Sequence, residues 1–213
     1  MSFNVTFDPS TATAPANFFI AFNREIQFFQ TTFSDPITIN LHVGWGDIGW
    51  VGFNRTESYT FDPNNRAVTG AFDFFGVADH EITEVMGRYG FGQNGGGGRD
   101  SPIDLFRYFS PGVRDLAAAY GSPNYFSIDG GLTVINTFNV VCCGDLSDWA
   151  GNTIDPFNGF LTRGRAELLS PGDLIVMDVL GYDRISAVPE PAIWIYIVAG
   201  LICFAAARRR TST

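Results

Sequence analysis

VADHEITEVMGRYG, residues 77–90, decides how the rest of this chain is read, because it carries His80, one of only two histidines in 213 residues. Placed on a helix, the stretch separates into two faces. Ala78, Ile82, Val85, Met86 and Tyr89 recur at steps of four, three, one and three, an apolar stripe suited to a core. His80, Glu81, Glu84, Gly87 and Arg88 share the other side. His80 and Glu84, four residues apart, point the same way, with Glu81 beside them around the helix. The bland account of this face is an amphipathic helix with an ordinary Glu84–Arg88 ion pair worth about 0.2–0.5 kcal/mol. The chemical account is a ligand pair, an imidazole and an acid one turn apart, with a second acid next to it.

Working outward, the composition narrows the classes. At 46% hydrophobic and 15% aromatic, the chain can bury a core in one domain. A net charge of −9, with arginine supplying all thirteen basic residues, argues against a nucleic-acid partner, which needs a basic patch. Having no lysine removes Schiff-base and P-loop chemistry, and the consecutive glycines 95–98 therefore read as a surface loop. None of Cys142, Cys143 and Cys203 has C-x-x-C spacing. The adjacent Cys142 and Cys143 allow a strained vicinal disulfide or two thiols; without other pairing partners, thiols are expected.

Upstream of the central stretch, Phe3, Val5 and Phe7 alternate with polar residues, the period of a half-buried strand. No charged and apolar leader precedes it, so no signal peptide is visible. Phe18, Phe19, Phe22, Ile26 and Phe29 then recur at helical spacing after Pro15, predicting a long N-terminal helix on a sheet. Residues 37–43 read as a second strand that turns His42 to its polar side, a surface or cleft-edge residue rather than a ligand. Residues 44–52 and 59–68 read as connections. Downstream, the apolar segments 103–109 and 125–135 are separated by Pro and Gly, and Asp129-Gly130-Gly131 is a hairpin signal. Asp145 and Asp148 fall in a polar loop and join the candidates. Ser170-Pro171-Gly172-Asp173 starts a helix that Gly181 ends.

At the far end, Pro189-Glu190-Pro191 is followed by an uncharged apolar run, residues 192–207, and by Arg208, Arg209 and Arg210. The run has no polar face, and by the positive-inside rule the arginines would lie on the cytoplasmic side of a spanning helix. This tail resembles the PEP-CTERM sorting signal of Gram-negative bacteria. That resemblance implies export, a C-terminal membrane helix, and handling by an exosortase-type transpeptidase that delivers the domain to the cell surface. The chain divides accordingly into a globular domain (1–185), a linker with the PEP motif (186–191) and the tail (192–213).

The body carries a resemblance too. H-E-x-x-E-x-x-G-x-x-G, from His80 to Gly90, looks like the metzincin frame H-E-x-x-H-x-x-G-x-x-H with two histidines replaced. With residues 125–131, 144–149 and 169–183, it is similar to a family of exported zinc metalloproteases bearing PEP-CTERM tails and related to serralysin and matrixin domains. The implied fold is α+β and metzincin-like: a mixed sheet, the long N-terminal helix and an active-site helix. The implied site is Zn²⁺ held by His80 and Glu84, with Mn²⁺ or Ca²⁺ also suited to an acid-rich set. Glu81 would be the general base. Gly90 cannot supply the third ligand, and Asp148 or Asp145 is the best candidate. Arg88 would orient Glu84 or pair with a substrate carboxylate. The expected activity is peptide hydrolysis on a protein or peptide substrate; the alternative is a non-catalytic surface or matrix-binding protein.

Overall fold

Phe3, Val5 and Phe7 lie half-buried on one side of β1 (Ser2–Phe7), while Ser2, Asn4 and Thr6 face solvent. The computed structural model describes residues 1–46, 51–89, 101–142, 144–151 and 154–185. β2 (Thr38–Trp45) runs parallel to β1, with Phe3 opposite Ile39 and Phe7 opposite Val43, and β3 (Val51–Phe53) adds to β2 in the same direction. Parallel neighbours need a crossover, and α1 (Ala16–Thr32) supplies it. Its apolar stripe covers the sheet. Phe7 makes edge contacts with Phe18, Phe19 and Phe22 at centroid distances of 6.4, 5.2 and 5.9 Å. Phe18, wholly buried, also meets Trp45, Phe53 and Phe74. Each such pair adds about 0.5–1.5 kcal/mol beyond the area it buries, so this aromatic knot is the centre of the core.

The site helix is anchored to that knot. A two-residue parallel pair, β4 (Tyr59–Thr60) and β5 (Phe72–Asp73), leads into α2 (Phe74–Thr83). Asp73 caps the helix by accepting from the Phe75 amide at 3.2 Å, and its carboxylate also takes Arg66 and the Glu167 amide. Phe74, Phe75, Ala78 and Ile82 face the core. Past Thr83 the backbone widens into a π-helical turn (Glu84–Arg88), in which Gly87 has φ +107°. This glycine is where the chain leaves its helical path, so the apolar stripe is shorter than the spacing suggests. Met86 is buried while Val85 and Tyr89 are each 38% exposed.

The second half is built from short antiparallel strands, β6 (Arg107–Ser110), β7 (Val113–Arg114), β8 (Tyr125–Phe126) and β9 (Asn136–Thr137), in the order β7-β6-β8-β9. The Asp129 hairpin signal falls in the long connection between the paired β8 and β9. α3 (Pro171–Val179) begins with a capping box in which Ser170 and Asp173 satisfy each other's amides.

This architecture corrects the expected metzincin-like one. Among the described residues the fold is a small α+β arrangement of three α-helices and three separate sheets in place of one mixed sheet. The physical reason lies in the strands after α2, which are two to four residues long and interrupted by Pro111-Gly112, Gly121, Pro123 and Gly130-Gly131. They cannot extend into a ladder with β1–β3. Residues 44–46 and 51–52, expected in a connection, belong to or adjoin strands β2 and β3. Among the described residues no helix is long and apolar enough to cross a membrane. The expected linker and spanning segment, 186–213 with Pro189, Glu190, Pro191 and Arg208–Arg210, lie outside the described residues. Cys142 is disulfide-bonded, which corrects the expectation of thiols.

Candidate functional site

α2 holds His80 near its last turn and hands Glu84 to the π-helical turn, which keeps the two side chains on one side. His80 Nε2 and Glu84 Oε1 are 3.1 Å apart. The loop at 144–149 brings in Asp148, whose Oδ1 lies 3.8 Å from the same nitrogen. Ligand atoms of all three residues fall within 4.8 Å of one another. The loop is held for this purpose by backbone and side-chain bonds: the Asn139 amide donates to the Asp148 carbonyl at 2.7 Å and the Asn139 side chain to the Asp145 carbonyl at 2.9 Å. Trp149, 1% exposed, locks the next position by donating its indole N–H to Asp173 at 2.7 Å.

The imidazole is oriented from behind. His80 Nδ1 lies 2.7 Å from the Pro156 carbonyl, and a carbonyl only accepts, so Nδ1 carries the proton. Nε2 is then turned towards two carboxylates, and the 3.1 Å contact with Glu84 needs either a second proton there or a cation between the groups. This is the arrangement that prepares a metal-binding imidazole. Tetrahedral ligands about 2 Å from a zinc ion are separated by roughly 3.4 Å. The observed 3.1 and 3.8 Å lie on either side of that spacing, and a nitrogen with two carboxylate oxygens is a donor set that could hold a divalent cation.

Arg88 completes the cluster. Its guanidinium, 1% exposed, pairs with Asp148 Oδ1, sits 3.5 Å from Glu84, donates to the His80 carbonyl and Thr83 hydroxyl, and lies 4.4 Å over the Phe157 ring. A guanidinium enclosed this way has no reach to a substrate carboxylate; its geometry is that of a group orienting Asp148 and Glu84. Burial opposes its charge, but Asp148 and Glu84 outweigh that and raise its pKa.

The acids divide by surroundings. Burial disfavours the charged form of Glu84, yet the His80 hydrogen bond and Arg88 hold its carboxyl below the usual range. Burial pushes Glu81 up to about 7 against the pull of His80, with Glu84 adding to the rise. Burial and then Asp148 lift Asp145 to about 6. For His80, burial and Arg88 oppose protonation, but Glu84 and Asp148 prevail and raise its pKa. Asp145 spends one oxygen on the Ser147 amide at 2.6 Å and stands outside the triad. His42 sits on the outer face of β2, its ring 46% exposed and 3.9 Å from Asp8, apart from this cluster.

No known protein family, curated protein or solved structure matches this chain. The site therefore stands on its own atoms. Sequence reading overlooked Pro156, Phe157 and Thr83, which set the imidazole and the guanidinium. A carbonyl acceptor leaves no residue-type signal, and only the turn chemistry of Asp155-Pro156 marked that loop at all.

Proposed function

We propose that the chain is an exported metal-dependent hydrolase of the peptidase kind, with His80, Glu84 and Asp148 as the metal-holding set. The observation that carries the reading is the convergence of these three side chains on one point, with His80 Nδ1 pinned by Pro156. A divalent cation held there supplies Lewis acidity and makes water a nucleophile near neutral pH. The chain's own residues do the rest. His80 presents Nε2, Arg88 fixes the Asp148 carboxylate and offsets part of the negative charge, and Glu81 takes the proton that the attacking water sheds. Two carboxylates in the set place more negative charge beside the cation than a His-rich set does, so slow hydrolysis is expected.

Zinc suits the nitrogen donor, and manganese or calcium suits the two oxygens. The PEP-CTERM-like tail supports export and handling by an exosortase-type transpeptidase. The second reading, a non-catalytic surface-binding protein, rests on Arg88, because a buried guanidinium between two carboxylates already does structurally what a cation would do. Elemental analysis separates them. The hydrolase reading expects one equivalent of divalent metal in the purified chain, lost in Glu84→Ala. It also expects peptide cleavage that disappears in Glu81→Gln while the metal stays. Folded protein that takes up no divalent ion from excess overturns it.

A further inference from the structure

One residue before His80, Asp79 belongs to a different setting. With Glu25 of α1 it lines a cavity of about 460 Å³ between α1, α2 and the start of α3. Both acids are more than nine-tenths buried, Asp79 at 4% and Glu25 at 7% exposure. No N–H or O–H of a described residue reaches Asp79 Oδ1, and the hydrogen-bonding neighbour of this carboxyl is the carboxyl of Glu25. Arg66 is close, but its Nε is committed to Asp73 and its Nη2 to the Glu167 carbonyl. A buried oxygen without a donor is costly, and a donor arriving from outside would recover that cost.

The remaining walls say what that donor is attached to. Phe28, Leu168, Leu169 and Leu174 give the cavity an aliphatic and aromatic lining. Arg24 and Arg184, both exposed, line it as well, and neither forms an ion pair with a described residue. Two acids at the floor alone would suit a metal ion, but the guanidinium groups of Arg24, which lies 5.9 Å over the Phe75 ring, and of Arg184 line the same cavity and repel one. Acid floor, apolar wall and basic mouth together complement a molecule positive at one end and negative at the other. The volume falls in the range of small-molecule pockets, roughly 300–1,000 Å³.

We propose that this cavity binds a small zwitterion with an aliphatic body, an apolar α-amino acid, its ammonium on the Glu25–Asp79 pair and its carboxylate on Arg24 and Arg184. An ammonium brings three donors to an acid pair whose own hydrogen bond leaves Asp79 Oδ1 without one, and a guanidinium fork matches a carboxylate in two parallel bonds. The inference does not depend on a metal at His80.

Isothermal titration calorimetry of the whole chain with L-leucine tests it, with isoamylamine and 4-methylvalerate as analogues that keep one charged end each. The expected result is saturable binding of leucine that weakens at least about tenfold when either end is removed. Glu25→Gln should weaken leucine and isoamylamine and spare 4-methylvalerate. Arg24→Gln with Arg184→Gln, both on the surface, should weaken leucine and 4-methylvalerate and spare isoamylamine. No leucine binding by the folded wild-type chain overturns the proposal, as do equal affinities for the three compounds. The ligand series on the wild type decides the matter should a variant fail to fold.

Discussion

Arg88 keeps its charge inside the protein, against Asp148 on one side and Glu84 on the other, and the energetics of that choice are testable. Removing one partner of a buried pair leaves the other desolvated and uncompensated, at a cost of about 3–5 kcal/mol. Arg88→Met should therefore lose stability of that order in urea unfolding, far beyond the few tenths that an exposed helix pair contributes. Asp148→Asn should lose less, because an amide still accepts from the guanidinium. The metal reading makes a separate demand on the same residues. A ligand present at about 100 times its Kd raises stability by about 2.7 kcal/mol. Added Zn²⁺ or Mn²⁺ should thus raise Tm of the wild type, a chelator should reverse the gain, and Glu84→Ala should show neither effect.

At the scale of elements, α1 and α2 are held by aromatic interlock and by one close approach of backbone. Phe18 sits at the point where α1, β2, β3 and α2 meet. Phe18→Ala should cost about 3–5 kcal/mol by chemical denaturation, the usual penalty for emptying a large core position. Gly76, in the first turn of α2, lets the segment carrying Glu167 approach so closely that an added Cβ would lie 2.5 Å from the Glu167 Cβ. Gly76→Ala has a helix-propensity gain of up to about 1 kcal/mol to offset the clash. The clash should win, because Glu167 is itself tied by its amide to Asp73. Net destabilisation of about 1–3 kcal/mol is expected. Since Asp73 also caps α2, the proposed peptide cleavage should fall with it.

Across the whole molecule, buried carboxyls make stability depend on pH in a direction opposite to that of ordinary paired acids. Burial, reinforced by Asp155, lifts Asp173 to about 7 from 3.8, and burial raises Asp155 as well. Between about pH 4 and pH 7 the folded chain thus keeps a proton that the unfolded chain has released. Stability should fall as pH rises through that window and level off above it. Thermal unfolding at pH 5 and pH 8 should show the lower Tm at pH 8, each kcal/mol lost being worth about 2–4 °C in a chain of this size. Asp173→Asn should flatten part of the slope, since the amide can still accept from the Trp149 indole without titrating.

Local pattern was enough to read the early elements. The alternation of Phe3, Val5 and Phe7, the helical recurrence from Phe18 to Phe29 and the helix start at Ser170-Pro171-Gly172-Asp173 are all short-range statements, settled by neighbouring side chains and backbone sterics. The His80–Glu84 pair is of the same kind, four residues apart on one helix, whereas spacing alone left Asp148 and Asp145 side by side in one loop, and packing brings Asp148 to the pair. The single mixed sheet failed because which strands pair is decided by long-range contacts, and strands of two residues carry almost no pairing signal. Arg88's burial, the Pro156 carbonyl behind His80 and the meeting of Glu25 with Asp79 likewise join positions 60, 76 and 54 residues apart. Periodicity tells a side chain which way to face; only the packed chain determines what it finds there.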